Sequence, residues 1–137
     1  ATICYDDIDT RFVRNYLNSL DRRPHFIINL TNDSYLGDSP GPLQHFLFSK
    51  WHAVQFDIPV VRATNTGITT IIFPDGTTSK TSKLFSPEIL DYTLAVSTTD
   101  STIYQRLGIL SFIFFWLSLI ALRCMVQKFN SLFLKRL

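Results

Sequence analysis

Phe26-Ile27-Ile28-Asn29-Leu30 decides the fold: this short apolar run, interrupted only by Asn29, reads as a buried strand set between two helical patterns. Upstream, Asp9 or Thr10 can cap a helix whose Phe12, Val13, Tyr16, Leu17 and Leu20 fall on one face before Pro24 stops it. Ahead of that helix, Thr2 and Ile3 read as the end of a strand and Cys4-Tyr5-Asp6-Asp7 as a turn. Downstream, Thr31 to Pro42 is polar and turn-rich, a substantial loop of the kind that often carries function. Pro42 can start a second helix, in which Phe46, Trp51, Ala53 and Val54 lie among polar residues as far as Phe56. Pro59-Val60-Val61-Arg62-Ala63 and Ile68-Thr69-Thr70-Ile71-Ile72-Phe73 read as strands around the tight Thr64-Asn65-Thr66-Gly67 connection. Pro74-Asp75-Gly76 supplies a turn, and Ile89 to Val96 reads as a last strand. Strand and helix alternating in this way define an α/β layered domain, and a sheet that begins on a truncated strand points to half a sandwich.

With 137 residues, the chain has room for one domain and one modest core. Its composition, 46% hydrophobic and 18% charged, is too apolar for a disordered tail and too polar for a bundle made only of membrane spans. A globular part joined to a membrane part fits better. Ala1 in place of Met suggests a processed or truncated chain. Cys4 and Cys124 lie near opposite ends without CxxC or Cys/His ligand spacing, so no disulfide scaffold, metal or cofactor is expected.

Charge is divided unevenly. Residues 1–102 hold eight basic residues and all eleven acidic ones, whereas the five ionisable residues beyond them, Arg106, Arg123, Lys128, Lys135 and Arg136, are all basic. These cations flank an apolar run instead of gathering on a folded face among aromatic or amide readers, which argues against nucleic acid as a partner. The run itself, Leu107 to Leu122, is uncharged, with Ser111 and Ser118 its only polar members. Sixteen residues rise roughly 24 Å, short of a hydrocarbon core of about 30 Å. Snorkelling of Arg106 and Arg123, with Tyr104 and Trp116 as interfacial aromatics, lengthens the span. The expected organisation is a globular domain over 1–102, a transmembrane helix over 103–126 and a basic amphipathic tail over 127–137. By the positive-inside rule the tail is cytoplasmic and residues 1–102 lie outside. Phe129, Leu132, Phe133 and Leu137 recur at helical spacing among the cations, as in a helix lying on the inner membrane surface. Cys124 at the cytoplasmic edge is expected to be a plain apolar residue.

Cys4 is the sharpest candidate for chemistry, because a thiol at a strand-to-helix turn can face a cleft near helix N–H groups that favour the thiolate. The competing reading is a cysteine simply buried. A nucleophile needs a base, and His25, His45 and His52 are available by type, although none can be set beside Cys4 from sequence. His52 falls within a helical pattern, where packing is the expected role. Asp6 and Asp7 look like paired carboxylates, yet neighbours in a turn usually point apart. No phosphate-binding Gly loop, HExxH or GxSxG is present.

Four blocks read together carry a resemblance: Ile3-Cys4-Tyr5-Asp6; Ile28-Asn29-Leu30-Thr31-Asn32-Asp33-Ser34-Tyr35-Leu36-Gly37; Gly41-Pro42-Leu43-Gln44-His45; and Pro59 through Gly67. In this order they resemble the bacterial apolipoprotein N-acyltransferases, membrane members of the nitrilase or carbon–nitrogen hydrolase superfamily. The resemblance covers essentially this whole chain but only the C-terminal part of such an enzyme. It implies an α/β fold, the C-terminal part of a nitrilase-like α-β-β-α sandwich followed by a C-terminal transmembrane helix. It also implies a Glu-Lys-Cys triad in which Cys4 matches the nucleophile. Glu88 is the sole glutamate and lies far downstream, so the matching Glu and Lys are expected in a missing N-terminal half of the same enzyme. The implied reaction passes a phospholipid acyl chain to Cys4 as a thioester and then to the α-amino group of a diacylglyceryl-lipoprotein. The backbone N–H of Tyr5 matches an oxyanion donor, and the implied location is the bacterial inner membrane with the catalytic domain periplasmic.

Departures from the pattern matter. Asp6 stands where the family usually has Glu, keeping the charge but losing one methylene, roughly 1.5 Å of reach. Tyr35 replaces a usual Trp and keeps an aromatic for a lipid-facing or anchoring role. His52-Ala53-Val54-Gln55 replaces Arg-Ala-x-Glu, which removes an ion pair. Asn32, Asp33, Arg62 and Asn65 match family positions as substrate-binding candidates whose polar groups are expected chiefly to hold the loops together. A tethered amidase acting on small amides and a degenerate binding domain are the alternatives.

Overall fold

A computed structural model describes residues 1–95 and 100–134, with side chains of the last helix described as far as residue 129. The chain divides into two compact units, Ala1–Arg106 and Leu107–Leu137.

The first unit is built on four strands, β1 (Thr2–Ile3), β2 (Ile27–Thr31), β3 (Val60–Thr64) and β4 (Thr70–Ile72), in the order β1-β2-β3-β4. β1, β2 and β3 are mutually parallel and β4 is antiparallel to β3. The crossovers are α1 (Thr10–Asn18) and α2 (Gly41–Phe56). Asp9 caps α1 as its sequence predicts, accepting from the backbone N–H groups of Arg11 and Phe12. Only Val13 and Leu17 of its apolar face are buried, while Phe12 and Tyr16 are largely exposed. α2 starts at Gly41, with Pro42 in its first turn where a missing N–H costs nothing. It ends on Asp57, whose left-handed φ of 54° turns the chain toward β3.

Two rows of side chains cross the inner face of the sheet. Ile27, Val60 and Ile72 are register partners and join Val13, Leu17, Phe46, Ala53, Phe56 and Ile58 in the apolar core. One pleat further toward the carboxyl ends of the parallel strands, Thr2, Asn29, Arg62 and Thr70 form a row that is equally buried but wholly polar. The outer face is apolar and open, with Ile3 and Leu30 exposed by half or more.

One expected strand is absent. Ile89 to Ala95 is irregular and Ile89 is fully exposed; Val96 lies outside the described residues. The edge of β4 that such a strand needs is already occupied. After the turn at Pro74-Asp75-Gly76 the chain doubles back, Thr78 bridges Ile72, and the N–H groups of Ser79 and Ser82 donate to the carbonyls of Ile71 and Thr69. The strand expected over Ile68–Phe73 shortens to Thr70–Ile72 because Thr69 bonds Ser82 and Thr64 instead.

The apolar C-terminal run is also bounded differently from its sequence reading. α3 (Ile103–Leu107) and α4 (Ile109–Leu134) are separated by Gly108 at φ 58°. Residues up to Arg106 belong to the globular unit. The Gln105 carbonyl accepts from Arg14 and Asn18, its amide oxygen accepts from Arg23 at 2.6 Å, and Tyr104 packs on Phe56 instead of serving as an interfacial aromatic. In the second unit, Ile109–Phe129 is an exposed helical stretch of 21 residues with mean hydropathy 2.2, long and apolar enough to cross a membrane. Against the expected span of 103–126 it begins later, at Ile109, because residues up to Arg106 belong to the globular unit, and it ends later, at Phe129, which extends the apolar surface. α4 continues unbroken to Leu134, so no separate tail helix begins at 127; residues 135–137 lie outside the described residues.

Candidate active site

Cys4 stands at the carboxyl end of β1, where the chain leaves the sheet in a tight 3₁₀ turn over Cys4–Asp7. Its φ is +49°, a left-handed conformation that costs a residue with a side chain on the order of 1–3 kcal/mol. Asp6 closes the turn by accepting from the Ile3 N–H at 3.0 Å. The Asp6 side chain points to solvent, whereas Asp7 is buried, so these neighbouring carboxylates do point apart. The half-buried Cys4 thiol donates to the Asn32 carbonyl oxygen at 3.9 Å and, among the described residues, bonds no histidine or carboxylate.

Behind this turn lies a closed group of four charged side chains, each at most 3% exposed. Asp7 comes from the 3₁₀ turn, Asp33 from the loop after β2, His45 from the first turns of α2 and Arg62 from the middle of β3. His45 meets Asp7 through Nε2 at 2.8 Å and Asp33 through Nδ1 at 2.7 Å. Arg62 meets the same two carboxylates at 3.4 and 3.1 Å. Both ring nitrogens of His45 face carboxylate oxygens and must donate, which requires the imidazolium. Burial opposes that charge, but the bonds to Asp7 and Asp33 outweigh it and raise the His45 pKa above its ordinary value. Two cations thus balance two anions in a site that excludes water.

The polar row of the sheet completes the network. Arg62 donates to Asn29 Oδ1 at 2.8 Å and Ser49 Oγ at 2.7 Å, Asn29 donates to Thr2, and Ser49 bonds Asp7. Burial lowers the Arg62 pKa, yet a guanidinium starts so high that it keeps its charge. His52 bonds the Asp7 carbonyl through Nε2 and stacks on Phe56; burial pushes its pKa down, which favours the neutral ring.

The candidate residues therefore divide by depth. Tyr5 and Tyr35 are exposed beside Cys4, with ring centroids 6.0 Å apart, and the Tyr5 ring lies 5.2 Å from that of His45. Asn32 and Asn65 are bonded to each other at 2.7 Å and tie the loop after β2 to the loop after β3; Asn65 also accepts from the Asp33 N–H. Asp33 and Arg62 are buried behind them. Among the histidines, His45 touches the Cys4 carbonyl oxygen at 3.3 Å but does not bond the thiol, and both of its nitrogens face carboxylates. His25 is exposed ahead of β2, at the end of that strand remote from Asn32. Glu88 accepts from the Lys83 N–H within its own loop and pairs with Lys80. Ser49 and Asn29 are not site candidates from the sequence, and Asp7 enters only as the neighbouring carboxylate of Asp6. The available signal was a polar residue at an inward position of each of two otherwise apolar strands, Asn29 and Arg62, since buried polar groups require partners.

A cysteine in a left-handed turn thus stands at the carboxyl edge of a largely parallel sheet, backed by a buried charge network, and that edge is where α/β domains carry their sites. Residues 1–104 match the family model of the carbon–nitrogen hydrolases, and the chain belongs to that family. Among curated relatives, it is 38% identical over 116 residues to the apolipoprotein N-acyltransferase of Rickettsia bellii, covering 82% of this chain and 22% of that one. It is 39% identical over 106 residues to the same-named protein of Bradyrhizobium diazoefficiens (77% and 19%), and 42% identical over 79 residues to that of Agrobacterium fabrum (58% and 15%). The chain thus spans about a fifth of the length of the curated relatives it matches.

Proposed function

We propose that this chain is the nucleophile-bearing part of an apolipoprotein N-acyltransferase that works through a thioester on Cys4. The observation that carries this reading is the left-handed turn holding Cys4 at the end of β1, on a chain whose curated relatives bear that name. The Cys4 thiolate attacks the ester carbonyl of a phospholipid acyl chain; a C–S bond forms and the carbonyl electron pair moves to oxygen. Collapse of that oxyanion breaks the ester C–O bond, and the departing alkoxide takes a proton to leave as lysophospholipid. The α-amino group of a diacylglyceryl-cysteine then attacks the thioester, gives up a proton, and releases the Cys4 thiolate. The Tyr5 N–H faces the oxyanion in both half-reactions. Asp6 shapes the turn, Tyr35 faces the lipid, and Asn32, Asp33, Arg62 and Asn65 hold the loops that form the floor. Sequence outside these 137 residues supplies the Glu base and the Lys. The stretch Ile109–Phe129 crosses the bacterial inner membrane, with residues 1–102 on the periplasmic side.

The test is the intact mass of the full-length protein after incubation with phospholipid and no acceptor, with neutral hydroxylamine as control. A hydroxylamine-labile acyl adduct on the Cys4 peptide, lost in Cys4→Ser, is the expected result. An unmodified Cys4 together with ammonia release from small amides would replace this reading with that of a membrane-tethered amidase.

A further inference from the structure

We propose that His45 is a positioning residue: by holding the carbonyl oxygen of Cys4 it fixes the plane of the Cys4–Tyr5 peptide and so aims the Tyr5 N–H. This rests on the thioester reading above and adds to it a residue that acts without touching substrate.

The geometry is specific. His45 Nε2 lies 3.3 Å from the Cys4 carbonyl oxygen and 2.8 Å from Asp7 Oδ1, so its one proton is shared between them. Asp33 holds the opposite nitrogen at 2.7 Å, which leaves the ring no freedom to turn. The chain has no cis peptide among the described residues, and in a trans peptide the C=O and the following N–H point in opposite directions. Drawing the Cys4 oxygen inward to a buried imidazolium therefore directs the Tyr5 N–H outward, away from the charge network. The same bond ties down the peptide that follows the strained φ of Cys4. The Tyr5 ring lies 5.2 Å from that of His45, tilted by 34°. An N–H aimed in this way contributes only when a carbonyl oxygen becomes charged, so its loss affects one kind of reaction at Cys4 and spares another.

That difference supplies the test. The full-length protein in detergent is acylated by a phospholipid with a labelled acyl chain and, separately, alkylated by iodoacetamide, each followed on the Cys4 peptide by mass spectrometry. Both reactions need the thiolate, but displacement at the saturated carbon of iodoacetamide develops no oxyanion. In His45→Asn, whose amide replaces the Nδ1 donor and leaves the Cys4 oxygen without its side-chain donor, acylation should slow at least about tenfold while alkylation stays within about threefold. In His45→Gln, whose amide reaches the Nε2 position, the ratio of the two rates should stay within about threefold of the unmodified protein. Equal loss of both rates in His45→Asn, or loss of neither, would overturn the proposal, as would a tenfold fall of the ratio in His45→Gln. Each variant decides by itself, so the test survives the failure of one to fold. No acyl adduct on the unmodified protein would end the thioester reading and this one with it, whereas acylation undiminished in His45→Asn would end this one alone.

Discussion

His45 and Arg62 grip the same two carboxylates, those of Asp7 and Asp33, from separate elements, one on α2 and the other on β3. The four side chains come from four segments that are distant in sequence, and their charges cancel only when all four have arrived. The network therefore reports on completed packing of the carboxyl edge of the sheet, where Cys4 sits.

Arg62→Met should be among the most destabilising single changes in the globular unit. It removes one of two cations from between two buried carboxylates and takes its donor from Ser49 and one of two donors from Asn29 Oδ1, a defect that typically costs about 3–5 kcal/mol. Urea unfolding should show a midpoint far below that of the unmodified protein; a change under about 1 kcal/mol would mean that water or a neighbour replaces the guanidinium.

Stability should pass through a maximum near pH 6.5. His45 has a raised folded pKa, so its contribution is fully present below the unfolded value of 6.5 and is lost as pH rises through the folded value. His52 has a lowered folded pKa, because burial favours its neutral form, so its contribution is full above 6.5 and declines as pH falls toward the folded value. Urea midpoints between pH 5 and 9 should fall away on both sides. His45→Gln should flatten the alkaline limb and His52→Gln the acid limb.

Gly67→Ala should disturb the site without touching Cys4. A Cβ at Gly67 would stand 2.1 Å from Asp33 Oδ2, the oxygen that meets Arg62. Asp33 must shift, and overpacking of this kind costs about 1–3 kcal/mol. Loss of melting temperature together with slower acylation of Cys4 is expected, and a variant unchanged in both would show that the two loops can separate freely.

At position 4 the usual order of glycine and alanine should invert. Alanine keeps the penalty of φ +49° and glycine relieves it, which outweighs the extra freedom glycine has when unfolded. Cys4→Gly should melt above Cys4→Ala, and neither should form an acyl adduct. The opposite order would mean that the turn relaxes once the thiol is gone.

Much of the layered core was legible because it depends on local signals. Asp9 as a cap, Pro42 as a helix start and the apolar runs around Ile27 and Val60 each specify their element within a few residues. The misread segment, Ile89 to Ala95, has a strand-like composition, but strand formation depends on a free neighbour, and Thr77–Ser82 had already taken that edge. The site was half legible for the same reason. Cys4 and its turn are local, whereas the pairing of Asp7 with His45 and Arg62 spans 38 and 55 residues and follows from the tertiary crossing of α2 over β3. The boundary at Gly108 is not marked by hydropathy, since the apolar run begins at Leu107 and continues past it, and the bonds around Gln105 assign the preceding residues to the globular unit.

The polar row Thr2-Asn29-Arg62-Thr70 also acts as a lock on strand alignment. In a sheet whose inner face is otherwise greasy, sliding β3 by two residues keeps every side chain on its proper face and costs the apolar rows little. Such a slide would carry Arg62 out of reach of Asp7 and Asp33 and set it beside aliphatic neighbours, or else drive Val60 in among the carboxylates. A single arginine thus makes one alignment of the strands far cheaper than its near twins, and it does so at the edge where the turn bearing Cys4 has to be placed to within a fraction of an ångström.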